Sequence, residues 1–126
     1  MSIEALWAVQ FTGFTAGAGV SPTRVAKSGG VIVIETGRLF GGDTWQWYTG
    51  TYDRDPKTGR LTFHIQTGVH FTQGGESIFG GALQPQKLVG DVQVSADQQT
   101  MTAKLTVVGS PHMTMLATLT RVDELP

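Results

Sequence analysis

Three histidines are the side chains of this sequence best suited to bind a metal or to transfer a proton: His64, His70 and His112. His64 and His70 lie six residues apart, which is roughly 20 Å along an extended strand. Two ligands of one zinc ion must lie much closer, because zinc–nitrogen bonds are about 2 Å long. The spacing therefore predicts surface or edge histidines and no metal site.

Asp53 and Asp55 form a pair of carboxylates two residues apart. The segment that follows, Asp55-Pro56-Lys57-Thr58-Gly59, has proline and glycine where a type I turn followed by a left-handed residue requires them. Aspartate is favoured at such a turn because its side chain accepts hydrogen bonds from nearby amides. We therefore assign the pair to turn geometry and not to acid–base catalysis.

The sequence lacks the usual motifs of nucleophilic and phosphate chemistry. It contains no cysteine, no Gly-x-Ser-x-Gly elbow, no His-Glu-x-x-His pair and no phosphate-binding loop. Gly17-Ala18-Gly19 starts like a dinucleotide fingerprint, but Pro22 occupies the third glycine position. Lys57-Thr58-Gly59 matches one element of a β-lactamase set whose other elements are missing. We expect no catalytic residue, no cofactor and no enzymatic activity.

The composition indicates one soluble domain over residues 1–126. Of the 126 residues, 40% are hydrophobic and 15% are charged, and the net charge is −1. This balance argues against nucleic-acid binding through a broad basic face. No apolar run reaches the roughly 18 residues of a membrane span, and the chain starts without the basic segment of a secretory signal. We expect a cytoplasmic protein.

Short strands separated by glycine-containing turns are the elements that would position these residues. Seventeen of the residues are glycine, nearly twice the usual fraction of about 7%. Hydrophobic and polar residues alternate in residues 6–12, 61–66, 101–107 and 112–121, as in half-buried strands. Strands are predicted to start near Leu6, Val31, Leu39, Thr44, Leu61, Leu88, Met101 and His112. Eight antiparallel strands joined by hairpins close naturally into a barrel, so we predict an all-β, eight-stranded antiparallel β-barrel.

At most one short helix is predicted. Ser21–Lys27 has serine at the N-cap position and proline at the first helical position, and Gly29 follows it. Thr23 and Val25 are poor helix formers, so the same residues also fit a polar loop. Either interpretation places the segment in a long connection from Thr12 to Gly30.

Large rings occupy both faces of the predicted strand in residues 44–52. Alternation points Trp45 and Trp47 one way, and Tyr48 and Tyr52 the other. Only one face can line a barrel, and we expect it to be the face of the tryptophans. The face of Tyr48 and Tyr52 then lies either in a homodimer interface or under a local loop.

An eight-stranded barrel is just wide enough to be filled by side chains or to hold one small apolar ligand. Small residues such as Ala103 and Ala117 leave room inside, whereas the aromatic and methionine side chains can fill it. Both states stay open. The candidate ligand cavity is lined by Trp7, Val9, Phe11, Trp45, Trp47, Phe63, Leu105, Met113 and Met115.

Gly37-Arg38-Leu39-Phe40-Gly41-Gly42-Asp43, followed by Tyr48-Thr49-Gly50-Thr51-Tyr52, resembles the signature of the GrlR-like family. These are small bacterial proteins named for a negative regulator of type III secretion genes. Residues 6–11 and 117–121 are also similar to members of the family. Within the motif, Gly41 and Gly42 suit a bend of a barrel wall, and Asp43 can cap the free amides of the turn.

The resemblance implies a calycin- or lipocalin-like barrel, a homodimer, and action by binding. It also implies repression by sequestering a transcriptional activator through an acidic run on a surface loop. The corresponding loop here supplies the candidate partner contacts Asp53, Arg54, Asp55 and Lys57. Residues 53–60 contain two aspartates against two arginines and one lysine, so this loop has a net charge of +1 and no acidic run.

Two functions are therefore hypotheses at this point. The first is a non-enzymatic binding protein, a negative regulator that sequesters a protein partner as a homodimer. The second is a carrier or sensor of a small apolar, fatty-acid-like ligand inside the barrel.

Overall fold

A computed structural model of the chain describes residues 2–15, 23–70 and 85–126. In these residues eight strands follow one another: β1 (Ala5–Thr15), β2 (Thr23–Glu35), β3 (Arg38–Gly42), β4 (Gln46–Arg54), β5 (Leu61–Val69), β6 (Lys87–Val94), β7 (Thr100–Val107) and β8 (Ser110–Asp123). Each strand pairs antiparallel with the next, and β8 pairs with β1, so the sheet closes on itself. The predicted all-β, eight-stranded antiparallel barrel is confirmed, and it is consistent with a calycin-like barrel.

The strands with the clearest alternation have the predicted inward faces. On β5, Leu61, Phe63 and Ile65 are buried, and on β7 Met101 and Leu105 are buried. The residues between them are largely polar and face solvent. Each strand buries one row of apolar side chains, and all of these rows lie in the same core. This shared burial stabilises the closed sheet.

The described hairpins are short and match their sequences. Thr36 and Gly37 both have positive φ, 48° and 77°, and connect the paired residues Glu35 and Arg38 in a two-residue turn. Gly59 has a φ of 74°, the left-handed conformation that the turn after Asp55 was predicted to need. These turns let neighbouring strands pair without a crossover.

The prediction for Ser21–Lys27 is wrong over the residues that the structure describes. Thr23–Lys27 belong to β2, which pairs with β1 from Thr15↔Thr23 onward, so they form neither a helix nor a loop. Ser21 and Pro22 lie outside the described residues. The long connection predicted from Thr12 to Gly30 is likewise wrong for residues 12–15 and 23–30, which are strand. Pairing with β1 outweighs the local capping signal, and β-branched Thr23 and Val25 suit a strand.

The two ends of the barrel differ and are named here by one residue each. At the Trp7 end, β1 begins, and the turns at residues 36–37, 55–60 and 95–99 lie there. The indole N–H of Trp7 donates to the carbonyl of Ile3 at 2.9 Å. At the Tyr48 end, β1 finishes, and the connections at residues 43–45 and 108–109 lie there.

The part of the chain that the structure describes contains no helix that is long and apolar enough to cross a membrane.

Candidate functional site

Tyr48 faces the barrel interior, which corrects the prediction that it lies on an outer dimer face. Its side chain is 3% exposed, and its ring meets the ring of Phe11 edge-on at 5.4 Å between centroids. Tyr52, on the same face of β4, packs against the core and approaches Phe63 at 6.5 Å. Between the two tyrosines Gly50 has no side chain. The inward face of β4 therefore accommodates large rings beside it.

Trp47 consequently faces outward, so its predicted place in a ligand cavity is wrong. It lies opposite Gly68 on β5. A Cβ atom added at Gly68 would lie 1.9 Å from Cζ2 of Trp47, which means that the indole covers the glycine on the outer wall. Trp45 precedes β4 and lies in the connection that follows Asp43, not on the barrel wall. Alternation identifies two faces of a strand but does not say which is inside.

The remaining candidate cavity residues lie on the inner wall, in two environments. At the Trp7 end, Trp7 is 0% exposed, with Phe63 and Val9 nearly as buried. Such side chains touch no water-sized space, so the barrel is filled there. Toward the Tyr48 end, Leu105 beside Met115 is also fully buried. Phe11 at this end retains 6% exposure, Met115 is slightly less exposed, and Met113 is only partly buried. Any space for a ligand would therefore be at the Tyr48 end.

Asp43 ties the turn between β3 and β4 to the core. Its Oδ1 atom accepts from the backbone N–H groups of Trp45 and Gln46, each at 2.8 Å. Its Oδ2 atom accepts from the hydroxyl of Tyr48. Burial, and the bond to the Asp43 carboxylate, raise the pKa of Tyr48 well above the ordinary value for tyrosine. The carboxylate thus holds the phenol protonated and in place.

Gly41 and Gly42 allow close approach of neighbouring strands. A Cβ atom at Gly41 would lie 1.9 Å from the carbonyl oxygen of Val31, and one at Gly42 would lie 2.7 Å from that of Gln46. Both positions exclude any larger residue. The motif Gly41-Gly42-Asp43 thus has a structural role in the turn between β3 and β4.

A second group of polar residues lies on the outer surface of the β4–β5 hairpin and the adjacent part of β6. We call it the charged wall. Its members are Asp53, Arg54, Asp55, Lys57, Arg60, Thr62, His64 and Asp91. With the exception of Lys57, these residues line one open groove. The strand register brings them together from three strands, because Asp53, Thr62 and Asp91 are successive cross-strand neighbours.

The turn of the charged wall is held by backbone contacts. The carboxylate of Asp55 accepts from the N–H of Lys57 at 2.8 Å and from that of Thr58 at 3.4 Å, and these bonds lower its pKa. The guanidinium of Arg54 donates to the carbonyl of Gly59 at 3.1 Å. This hairpin therefore presents its charged side chains from a defined backbone.

Two side-chain pairs span the wall. Nε2 of His64 lies 3.1 Å from Oδ2 of Asp53. The guanidinium of Arg60 binds both carboxylate oxygens of Asp91, with Nε to Oδ1 at 2.9 Å, and this contact lowers the pKa of Asp91. His64 and Asp91 share the groove, but the Asp91 carboxylate is bound by Arg60. All four side chains are about half exposed or more, so water screens these charges.

The structure also shows where the other two histidines lie and whether the described residues could bind a metal ion. His70 follows β5, where its N–H donates to the carbonyl of Trp45 at 2.8 Å, and His112 is exposed near the start of β8. Among residues 2–15, 23–70 and 85–126, no three histidine, aspartate or glutamate side chains form a group that could hold a metal ion.

A third feature, which the sequence analysis missed, is an apolar stripe on the outer wall of β1–β3. It consists of Leu6, Ala8, Val31, Val33 and Phe40, which alternate with buried residues on their strands. The signal was present in the sequence: the uninterrupted run from Val31 to Ile34 has apolar residues on both faces of its strand. A strand with one solvated face should instead alternate.

A scan against protein-family models and a search of curated proteins each found no match to this chain. The resemblance to the GrlR-like family therefore stays a prediction.

Proposed function

We propose that this chain is a non-enzymatic binding protein and that the charged wall is its contact surface for a protein partner. The observation that supports this proposal is the structure of the β4–β5 turn. Its backbone is held by the Asp55 carboxylate, while the charged side chains around it stay exposed. A preorganised loop loses little conformational entropy on binding, which favours affinity.

The environment of the charges favours binding over catalysis. Both side chains of the His64–Asp53 pair are open to solvent. The buried Tyr48–Asp43 pair has a structural role, because the same carboxylate holds the backbone of the turn before β4. Catalytic groups are usually desolvated, because a low-dielectric site strengthens their electrostatic effects. The wall carries both signs of charge, so we expect a partner with both signs and an association rate that falls as salt concentration rises.

The resemblance to the GrlR-like family supports a regulatory partner, such as a transcriptional activator that this chain sequesters. The absence of an acidic run from residues 53–60 argues for different contacts with that partner. Among the described residues, the Lys57 side chain forms no bond of the turn, and the Asp53 carboxylate pairs with the exposed His64, so both can be changed without removing a contact of the turn.

The test is affinity capture from native cells with the wild-type chain and with the double variant Asp53→Ala, Lys57→Glu. These substitutions leave the turn contacts of Asp55 and the Arg60–Asp91 pair intact. Gln10→Glu, an exposed change on β1, is the matched control. We expect a specific partner whose recovery falls at least about tenfold with the double variant and is unchanged with the control. Equal recovery with all three chains, or no partner at all, would contradict the proposal.

A second candidate function is the binding of a small apolar, fatty-acid-like ligand at the Tyr48 end. The difference in burial along the inner wall favours it, because the methionines and Phe11 at this end are less completely covered than Trp7 at the other end. Native mass spectrometry and displacement of a fluorescent lipid probe test it. Met113→Trp, which adds bulk at this end, should weaken binding, whereas Val122→Trp on the outer surface should not. An apo mass with no probe displacement by fatty acids would eliminate it.

A further inference from the structure

Charged residues are divided unevenly between the two ends of the barrel. At the Trp7 end, the described strand ends and turns hold seven acidic and five basic residues, a net charge of −2. The acidic ones are Glu4, Glu35, Asp53, Asp55, Asp97, Asp123 and Glu124, and the basic ones are Arg38, Arg54, Lys57, Arg60 and Arg121. Asp91 and Lys104 lie opposite each other in mid-strand, so their charges cancel. The Trp7 end is therefore acidic.

The Tyr48 end is basic. Lys87 begins β6 there, and Arg24 and Lys27 lie in the half of β2 that reaches the same end. Asp43 is the one acidic residue at this end among the described residues, which leaves a net charge of +2. Its carboxylate is bound by groups of the chain itself. The segments between the described ranges add one charge, that of Glu76, so this end stays positive even when Glu76 is counted with it.

Lys87 can contact an external anion. It is exposed, and none of the ion pairs of the described residues involves it. It shares an open groove on the outer wall with Val108, and no acidic residue in the described part of the chain lines that groove. The N–H of Val108 donates to the carbonyl of Lys87 at 2.8 Å, which holds the cation beside the valine.

Apolar side chains lie in the turns of the same end. Val108 is 59% exposed at the β7–β8 turn, where Gly109 has a φ of 85°. Trp45 is partly buried in the connection before β4. An exposed valine alone needs no explanation, but this one lies against a cation at the positive end of the barrel. Basic residues around exposed apolar and tryptophan side chains are typical of surfaces that contact the headgroup region of a bilayer.

We propose that the Tyr48 end docks on the surface of a bilayer that contains anionic lipids. Charge complementarity supports this partner, because anionic headgroups attract the positive end and repel the acidic Trp7 end, which orients the chain. A nucleic acid also offers negative charge, but its phosphate surface gives the exposed Val108 no apolar layer to enter.

The number of cations sets the strength expected of this contact. Each lysine or arginine near an anionic surface strengthens binding about fivefold, and the exposed apolar surface is small. The contact is therefore reversible, and it weakens as salt screens the charges. Docking covers the Tyr48 end, whereas the turn of the charged wall lies at the Trp7 end and stays open to a protein partner. Membrane docking is thus separate from the proposed function and does not depend on it.

The test is co-sedimentation of the purified chain with vesicles of phosphatidylcholine, with and without about 30% phosphatidylglycerol. At low salt we expect binding to the anionic vesicles to be at least about tenfold stronger than to the neutral ones, and high salt should remove the difference. Lys87→Glu with Val108→Asp should weaken binding at least about tenfold. Lys57→Glu with Val122→Asp is the matched control, because Val122 is 58% exposed at the Trp7 end, and it should change binding less than about twofold.

Lys87→Gln removes one charge without changing Val108 and should weaken binding about fivefold, so the test holds even if the double variant does not fold. Binding to neither kind of vesicle, equal binding to both, or equal loss in the two double variants overturns the inference. Binding of duplex DNA that depends on Lys87, without binding to vesicles, shows a nucleic-acid contact and also overturns it. Asp53→Ala with Lys57→Glu should lose the protein partner and still bind vesicles, which separates the two proposals.

Discussion

The guanidinium carbon of Arg121 lies 4.9 Å from the centroid of the Trp7 ring. A cation on the last strand, β8, therefore stacks on an aromatic ring of the first strand, β1. The Arg121 side chain is only 4% exposed. It donates to the carbonyl of Gln98 at 3.1 Å and to that of Ser2. A buried cation is tolerated here because an aromatic face, two carbonyl oxygens and the Glu124 carboxylate at 3.2 Å replace water. Arg121 therefore closes the Trp7 end of the barrel.

Replacing Arg121 with leucine should lower the free energy of unfolding by about 2–3 kcal/mol, because it removes the stacking and leaves two carbonyls without their donor. Chemical denaturation followed by tryptophan fluorescence measures this change. Arg38→Leu, which removes the exposed ion pair with Glu35, is the control and should cost less than about 0.5 kcal/mol. Equal losses for the two variants would show that Arg121 has no special role at this end.

Gly90 on β6 should tolerate no side chain. A Cβ atom there would lie 1.8 Å from the carbonyl oxygen of Lys104 on the paired strand β7, which is backbone and cannot rotate away. We expect Gly90→Ala to destabilise the protein by more than about 2 kcal/mol, as other changes that strain a core do. Gly59→Ala meets no atom within 4 Å but has a φ of 74°, so it should cost only about 1 kcal/mol. A smaller loss at Gly90 than at Gly59 would contradict this interpretation.

Alkaline pH should destabilise the fold through Tyr48. Its pKa in the folded chain is raised above the ordinary value of 10, so the unfolded chain loses this proton first. The stability is fully present below pH 10 and falls as the pH rises further, by about 1.4 kcal/mol per pH unit for one group.

Denaturation midpoints between pH 9 and 11.5 measure this effect, with Tyr48→Phe as the comparison. Phenylalanine lacks the titrating hydroxyl, so the variant should start less stable by about 1 kcal/mol and lose less with rising pH. Parallel curves for the wild type and the variant would disprove the assignment.

Acid should destabilise the fold through three aspartates, two in turns and one on β6. Hydrogen bonds from Lys57 and Thr58 lower the pKa of Asp55, Arg60 lowers that of Asp91, and Ser95 lowers that of Asp97. Each group therefore contributes stability above the ordinary value near 3.8 that is lost as the pH falls below it. Thermal melting from pH 6 to pH 2.5 should show this decline. Asp97→Asn should flatten the curve, and an unchanged slope would exclude Asp97 as a contributor.

The architecture could be predicted because several strands bury one face and expose the other. In β5 and β7 the alternation of Leu61, Phe63 and Ile65, or of Met101 and Leu105, with polar residues identifies both the strand and its inward face. On β4, aromatic rings lie on both sides. The pattern therefore predicted the strand but assigned the wrong face to the interior. Only the position of Gly50 between Tyr48 and Tyr52 hinted at which side has room for rings.

The candidate surfaces depend on pairings that one sequence does not specify. Asp53, His64 and Asp91 come together only because β4, β5 and β6 pair in one register, and a shift by one residue would put them on different faces. The start of β2 was missed for a similar reason, since Thr23–Lys27 are strand through their pairing with β1. The apolar stripe could have been found, because the run from Val31 to Ile34 predicts two apolar faces.

Seven of the eight strand pairings join consecutive segments of the chain, and the exception is β1 with β8. During synthesis the hairpins can assemble one after another from local contacts, which form fast. The final seam has to wait for the last strand, so a nascent chain carries two unpaired edges until that strand emerges. That interval is when the chain is most exposed to aggregation, and the speed of the last step decides its length.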